Sequence, residues 1–317
     1  MSTAVLPPTP GRESHRQRVR PAVSRRRRVR GDYLFLVPGA VFVVATVVYP
    51  LGYNVLQSFQ NVGLAQVVNG GAEWVGLDNY RDQFGRSQFW EALRVSMIYT
   101  CASVALSFGI GMGLALLFNR SFPGRNTMRS LTLMAWILPT VVSANVWRWL
   151  LDGSYGLVNA GLQGLGLIEG DVFWLGKPDT ALIAVTFATA WTFAPFAMIM
   201  LLAGLQSVPG NLYESARLDG AGAWQQFARI TMPLIRPVSL TTLLLLFIYT
   251  FKTFDTVFLM TGGGPGGSTT TLPIYAYEQA FEFFKFDTAA VGTTVLLSIP
   301  MLLSILYFRS MRHEERA

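Results

Sequence analysis

The sequence is poor in the residues from which most catalytic and metal sites are built. Of its 317 residues one is cysteine and two are histidine, His15 and His313, both near the chain ends. These counts exclude a disulfide framework and a cysteine-based metal site, and they argue against a histidine centre. The three lysines, Lys177, Lys252 and Lys285, stand in no G-x-x-x-x-G-K-[ST] motif, which excludes ATP hydrolysis of the P-loop kind. With no nucleophile–base pair or carboxylate dyad evident, we expect a non-enzyme that binds no metal or cofactor.

Charge is scarce as well. Only 14% of the residues are charged and 51% are hydrophobic, with a mean hydropathy of +0.39, whereas soluble domains have about 25% charged residues. Six apolar segments lie at about 33–57, 92–118, 130–151, 180–205, 238–260 and 288–309. Each is long enough, at about 1.5 Å per residue, to cross a hydrocarbon core of about 30 Å, and none shows the alternation of barrel strands. The predicted fold is an all-α membrane protein with six transmembrane helices.

The basic residues predict the orientation of these helices. Nine arginines lie in the 1–32 tail, and three basic residues lie in each of the 119–129 loop, the 206–237 loop and the C-terminal end, eighteen in all. The alternate loops hold four, Arg81, Arg86, Lys177 and Lys285. We therefore expect a multi-pass protein with both termini and the 206–237 loop in the cytoplasm.

The tails are predicted to lie outside the transmembrane domain, which spans about 33–310. The 1–32 tail is rich in proline and arginine and is predicted to be disordered, and 311–317 is a short cytoplasmic tail. The arginine run has the composition of a nucleic-acid-binding segment, but its position before an apolar span favours anchoring to anionic lipid. No small-residue cleavage site follows, so we expect an uncleaved first span rather than a signal peptide.

The 206–237 loop is too polar to lie in lipid. It predicts a helix over 213–218, a glycine break and a second helix over 223–231, with Asp219 as the N-cap of the second helix. The residues that break or redirect the chain are Gly220, Gly222, Pro233 and Pro237. The pattern alone leaves two interpretations open: an amphipathic connector in the headgroups, or a surface that another protein grips.

The order of residues in this loop resembles a known motif. It contains Glu214-Ser215-Ala216, Asp219-Gly220-Ala221, Ile230-Thr231-Met232-Pro233 and Pro237. This is similar to the cytoplasmic coupling loop of binding-protein-dependent ABC import permeases, in which E-A-A is followed by D-G-A, by I-x-L-P and by a later proline. Ser215 and Met232 depart from the pattern but keep side-chain size or apolarity. The resemblance implies an ATPase-coupling site of Glu214, Ser215, Ala216, Asp219, Gly220, Ala221 and Pro233, in which Glu214 and Gly220 dock into a cleft of the ATPase.

Two further segments resemble the sugar-permease subgroup, of the maltose and glycerol-3-phosphate type. They are "WVGLDNYRDQF", within 58–90, and residues 251–281, which carry a Gly-Gly-Pro cluster. The resemblance implies a bacterial inner-membrane subunit that imports a sugar or sugar derivative. It also implies a heterodimer with a second permease subunit, two copies of an ATPase that carry ATP and Mg, and an extracytoplasmic solute-binding protein.

The loops predicted to lie outside leave alternatives open. The 58–90 and 152–179 loops are either ordinary solvated loops or a docking surface for the extracytoplasmic partner. The glycine cluster within 251–281 has the composition of a phosphate cradle. A tight turn with positive φ, returning a segment to the helix bundle, is favoured because no Lys-Ser/Thr follows.

Ionisable residues within spans are candidates for function because they are costly in lipid. They are Arg94, Arg148, Lys252 and Asp255. Lys252 and Asp255 are three residues apart, which suits either a local ion pair or a polar cavity for a hydroxylated substrate. Residues of the type that binds sugars, by aromatic stacking and planar polar groups, are Asn145, Trp147, Trp191, Phe193, Phe251, Phe254 and Asp255. The same residue types occur in the aromatic belts of membrane proteins, so that interpretation stays open.

Two other classes of protein compete with the importer. A secondary transporter driven by an ion gradient needs carboxylates buried in the membrane and usually inverted repeats, and Asp255 is the one candidate. A membrane-anchored nucleic-acid- or lipid-binding protein would act through the arginine tail, and we expect no nucleic-acid partner.

Overall fold

The computed structural model describes residues 35–314 of the chain. The predicted 1–32 tail with its arginines, and the last three residues of the 311–317 tail, lie outside the described residues. The chain divides into two compact units, one that ends at Leu51 and one that begins at Gly52. The described part of the first unit is helical from Val37 and includes a π-helical turn, Val44–Val48.

The described elements are almost all helices. In chain order they are α1 (Val37–Gln57), β1 (Gln60–Asn61), α2 (Leu64–Asn69), β2 (Glu73–Trp74), α3 (Asp78–Phe84), α4 (Ser87–Asn119), α5 (Arg125–Ile137), α6 (Thr140–Leu150), α7 (Leu157–Gly164), α8 (Pro178–Gln206), α9 (Gly210–Leu218), α10 (Ala223–Leu234), α11 (Arg236–Phe251), α12 (Asp255–Thr261), α13 (Leu272–Tyr277), which a π-helical turn continues (Glu278–Glu282), and α14 (Phe286–Glu314). The two strands form one antiparallel pair, with Gln60 opposite Trp74.

Four described helices are long and apolar enough to cross a membrane: α1, α4, α8 and α14, the last over Phe286–Met311. Two bent pairs bring the count to six if each pair is one span. They are α5 with α6, bent by 99°, and α10 with α11, bent by 71°. The all-α membrane fold is confirmed, and the span count lies between four and six.

Two predicted spans differ from the observed helices. The 130–151 segment is interrupted where Leu138 has an extended backbone, with ψ of 138°, before Pro139. Proline lacks an N–H and pushes the preceding residue out of helical conformation, so the chain turns there. The 238–260 segment leaves the helix after Phe251 and resumes at Asp255. Lys252 caps the C-terminus of α11 and Asp255 lies in the first turn of α12, so each charge suits its helix dipole.

The core of the second unit is built on the contact between α4 and α8. The buried residues of α4 include a series of small ones, Ser96, Thr100, Ser103, Ser107, Gly111 and Ala115. A Cβ atom added to Gly111 would lie 2.5 Å from the Cβ of Ala197, so the two helices approach as closely as glycine allows. The Tyr99 hydroxyl contacts the Thr189 hydroxyl at 2.8 Å, which ties the two helices together in the buried region.

The glycine cluster after α12 forms a turn that returns the chain to α4. Glycines 262, 263, 266 and 267 all have positive φ, as the sequence predicted. The segment that follows begins α13, and the Leu272 N–H donates to the Ser96 hydroxyl at 2.6 Å. The Gln83 amide donates to the Tyr275 hydroxyl at 2.9 Å. The prediction of a returning segment against the bundle is therefore confirmed.

Candidate functional site

The 206–237 loop folds as two helices that meet at a glycine turn. Helix α9 begins after Pro209 and ends at Leu218, and α10 begins after Gly222. The two predicted helices and the break between them are confirmed, and α10 extends three residues beyond the predicted end. Ile235 then separates α10 from α11, whose first turn contains Pro237, so the prolines redirect the chain as predicted.

The turn after α9 is a helix-terminating motif that needs glycine. Gly220 has φ of +79°, and its N–H donates to the Arg217 carbonyl at 3.1 Å. The Ala221 N–H donates to the Ala216 carbonyl at 2.8 Å. These two bonds are those of a Schellman motif, in which a left-handed residue closes the last turn of a helix. A side chain at Gly220 would strain this backbone conformation.

The prediction that Asp219 caps the N-terminus of the second helix is wrong. Asp219 closes α9 at its C-terminus, and the N-cap of α10 is Gly222. The chain needs Asp219, Gly220 and Ala221 to complete the turn, which places the start of α10 three residues beyond Asp219. The Gln225 side chain instead accepts from the Gly222 N–H at 3.1 Å.

Hydrogen bonds brace the two helices against each other. The Tyr213 hydroxyl in α9 contacts the Thr231 hydroxyl in α10 at 2.9 Å. The Gln226 amide donates back to the Ala221 carbonyl in the turn at 2.7 Å. Because these bonds link residues up to 18 positions apart, α9 and α10 form a braced bracket rather than two independent helices.

The surface of this bracket combines charge with exposed apolar side chains. Glu214 and Ser215 are exposed, while Ala216 and Ala221 are half-buried at the turn. Leu218 is 90% exposed and Trp224 is 74% exposed. Beside them lies a cavity of about 840 Å³. It is lined by Leu116, Asn119, Arg120, Leu205, Gly210, Tyr213, Glu214, Arg217, Ala223, Trp224, Gln226, Phe227 and Thr231. A polar loop with such exposed apolar groups is typical of a protein-binding surface.

The second candidate region, the predicted sugar pathway, divides into separate groups. Trp147 and Trp191 are brought together, with ring centroids 5.8 Å apart in a T-shaped arrangement. Phe193 does not join them, and its ring stacks on Tyr249 at 6.3 Å with an interplanar angle of 3°.

Phe254, like Trp191, packs against the buried cluster that contains Trp147, and its ring stacks on Phe258 at 4.8 Å. The other predicted residues lie elsewhere. Phe251 is buried, with 2% exposure, and stacks on Phe247. The Asn145 amide donates to the Val141 carbonyl within its own helix, and Asp255 is exposed in the first turn of α12. The predicted set therefore does not form one cluster.

The sequence analysis did not select the partners of Phe193. Tyr249 stacks on Phe193 and also meets Phe196 edge-on at 5.8 Å, and Phe196 contacts Trp136 at 5.5 Å. The spacing of Phe193 and Phe196, three residues apart on one helix face, was the available signal. We call Trp136, Phe193, Phe196 and Tyr249 the four-ring cluster.

The ion pair between Lys252 and Asp255, one of the two alternatives for these residues, is not formed in the described part of the chain. The Lys252 ammonium instead lies 5.3 Å from the centre of the Tyr249 ring. Among residues 35–314 no group of three or more histidine, cysteine, aspartate or glutamate side chains is placed to hold a metal ion.

Comparison with known proteins places the chain in a family. Residues 105–316 match the family described as "Binding-protein-dependent transport system inner membrane component". The sulfoquinovosyl glycerol transport system permease protein SmoG of Agrobacterium fabrum is 34% identical, over 89% of this chain and 90% of its own. The trehalose/maltose transport system permease protein MalF of Thermococcus litoralis is 37% identical, over 73% of this chain and 77% of its own.

Solved structures share the fold. A chain of a bacterial alginate ABC transporter, crystallised with a periplasmic protein bound to an alginate pentasaccharide, superposes with a TM-score of 0.76 at 23% identity. The match covers 90% of this chain and 95% of that chain. A chain of an amino acid ABC transporter gives a TM-score of 0.51 at 18% identity, over 74% of this chain and 98% of that chain. The chain belongs to the family of inner membrane components of binding-protein-dependent transport systems, the permease subunits of ABC importers.

Proposed function

We propose that this permease imports a sugar or sugar derivative and pairs with a second, similar permease subunit, two ATPase copies and an extracytoplasmic binding protein. Its relatives support the substrate class, because SmoG and MalF are named for glycoside and disaccharide transport. The four-ring cluster supports it too, because Trp136 and Tyr249 are partly exposed and aromatic rings suit the C–H surfaces of sugar rings. The sequence contains no P-loop motif, and in our proposal the ATP and Mg bind to the partner ATPase.

The α9–α10 bracket is the observation that carries the coupling role. The bracket is closed by the Gly220 turn and by the contact between Tyr213 and Thr231, yet it exposes Glu214, Leu218 and Trp224. In our proposal the ATPase grips this surface, and closure of the ATPase pair moves the bracket as one body. Movement of the bracket is passed to α11 through the 71° junction at Ile235.

Substitutions at Glu214 and Gly220 test this role. Gly220→Asp strains a residue with φ of +79°, and Glu214→Lys reverses an exposed charge. We expect either variant to lower the amount of ATPase that co-purifies, and the rate of uptake, by at least about tenfold, which is about 1.4 kcal/mol of binding free energy. Membrane insertion should persist, because neither side chain is buried.

Matched controls separate docking from folding. Glu169→Lys makes the same charge reversal at an exposed residue in the 152–179 loop, and Gly170→Asp adds the same side chain at an exposed glycine of that loop, with open space and no positive φ. Both controls should retain the co-purifying ATPase. Unimpaired co-purification of the ATPase with both Gly220→Asp and Glu214→Lys would refute the coupling role of the bracket.

The proposed orientation puts both termini and the bracket in the cytoplasm. To test it, Cys101, the one cysteine in the sequence, is replaced by serine, and single cysteines are placed at exposed positions Ala228 and Glu169. An impermeant thiol reagent should label the cysteine at 169 on intact spheroplasts and the one at 228 only after the membrane is opened. Labelling of residue 228 on intact spheroplasts would overturn both orientation and coupling.

A further inference from the structure

Lys252 is a charged residue at the end of α11, which is half of a bent helix pair that is long and apolar enough to be one span. Charged residues in such segments are rare and are usually retained for a function or paired with an opposite charge.

The described part of the chain provides no counter-charge for Lys252. Asp255, three residues later, forms no ion pair with it, and the ion pair found within residues 35–314 joins Arg81 and Asp78 at the surface. The interaction that Lys252 does make is with the face of the Tyr249 ring. A cation over an aromatic ring is stabilised by the negative face of the ring, and the ammonium keeps donors for other acceptors.

The surroundings of Lys252 suit an incoming ligand. Tyr249 is 38% exposed, and its ring lies parallel to that of Phe193, which is half-buried. Lys252 itself is exposed. An exposed ammonium therefore lies directly beside the pair of rings proposed to contact a sugar, at the point where α11 is interrupted. Sites formed at interrupted helices are a recurrent feature of transporters.

We propose that Lys252 binds an anionic substituent, a carboxylate, sulfonate or phosphate, on the transported glycoside while the sugar ring packs on Tyr249 and Phe193. The inference rests on the proposed function of saccharide import and narrows its substrate class to acidic glycosides. An anion compensates the ammonium charge, which a neutral hydroxyl cannot do, and charge-assisted hydrogen bonds are about twice as strong as neutral ones.

The test uses the full importer in proteoliposomes with ATP and its binding protein. Three glycosides that differ at carbon 6 of the sugar serve as probes: glucosyl glycerol, which is neutral, glucuronosyl glycerol, a carboxylate, and sulfoquinovosyl glycerol, a sulfonate. We expect the wild-type importer to take up at least one of the anionic pair. Lys252→Gln should lower that uptake at least about tenfold, and uptake of neutral saccharides less than about twofold. Lys252→Arg should keep most of the anionic uptake.

Controls assign the effect to the permease site. The binding protein is the same in every sample, so a changed ratio of anionic to neutral uptake belongs to this subunit. Lys177→Gln removes a lysine charge just before α8, in the 152–179 loop, and should leave the ratio unchanged.

Any of the following outcomes would overturn the proposal that Lys252 binds an anionic substituent. An equal loss for neutral and anionic glycosides would assign Lys252 to a lipid phosphate, and loss of the second permease subunit from the purified complex would assign it to a carboxylate of that subunit. Uptake of glucosyl glycerol or trehalose alone would leave saccharide import standing and refute the acidic substrate. Absence of ATP-dependent uptake of any saccharide would refute both proposals.

Discussion

The contact between α4 and α8 is completed by the chain's own small residues, whereas the α9–α10 bracket has one buried side chain between Gly210 and Leu234, that of Thr231. At the helix contact, Gly111 leaves no space for even one added carbon. At the bracket, Gly220 has nothing within 4 Å of where a Cβ would lie. Glycine therefore serves close packing in one region and backbone conformation in the other.

The α4–α8 contact is fully packed within this subunit, whereas the α9–α10 bracket leaves exposed the surface that we propose the ATPase binds. A close-packed interface responds to added volume through loss of stability. An exposed bracket held by a few hydrogen bonds responds through its local opening and through the partner it binds. Substitutions in each region, each compared with the same substitution at a control position, can test this distinction.

The largest effect on stability is expected from Gly111→Ala. Its new Cβ would lie 2.5 Å from the Cβ of Ala197 and 2.9 Å from the carbonyl oxygen of Ala194, so α4 and α8 must separate. We expect a cost of about 1–3 kcal/mol, typical of overpacking, and a lower midpoint of thermal unfolding in detergent.

Gly113→Ala is the matched control, two residues along the same helix. Nothing lies within 4 Å of its added Cβ, so the substitution should leave the midpoint unchanged or raise it, because alanine favours helix over glycine by about 1 kcal/mol. Equal midpoints for the two variants would contradict the close approach of α4 and α8.

The sequence predicted the elements that depend on local composition better than those that depend on neighbours. Long apolar runs identified the four uninterrupted spanning helices, and the glycine positions identified the turn after α9. The prolines show what local sequence cannot predict. Pro195 and Pro300 lie inside continuous helices, yet α5 ends just before Pro139. Neighbouring helices and side chains can re-satisfy the backbone groups that a proline frees, and the sequence does not show which neighbours are present.

The same limit applies to the two candidate sites. The Glu214 to Pro233 motif is local in sequence, so its spacing predicted the bracket correctly except for the cap at Asp219. The four-ring cluster joins α5, α8 and α11, and composition does not show which of many aromatic residues meet. The predicted pathway residues therefore included Phe251, which is buried, and omitted Tyr249, which is partly exposed.

The smallest effect is expected from Tyr213→Phe in the bracket. The substitution removes the hydroxyl that meets Thr231 at 2.9 Å but keeps the ring, so α9 and α10 lose one link without a change in packing. A hydrogen bond of this kind contributes about 1 kcal/mol, which corresponds to a roughly fivefold increase in local opening. Hydrogen–deuterium exchange of the amides in residues 223–234 of the intact importer should quicken by about that factor, while exchange in α4 and α8 stays unchanged. Tyr155→Phe, at a tyrosine that is 73% exposed, is the control and should alter neither region. Equal exchange in residues 223–234 of Tyr213→Phe and the wild type would contradict this prediction. It would mean that the bound ATPase, rather than the hydrogen bonds within the bracket, keeps α9 and α10 together. The bracket would then depend on a partner even more than the structure of this subunit alone indicates, unlike the α4–α8 contact.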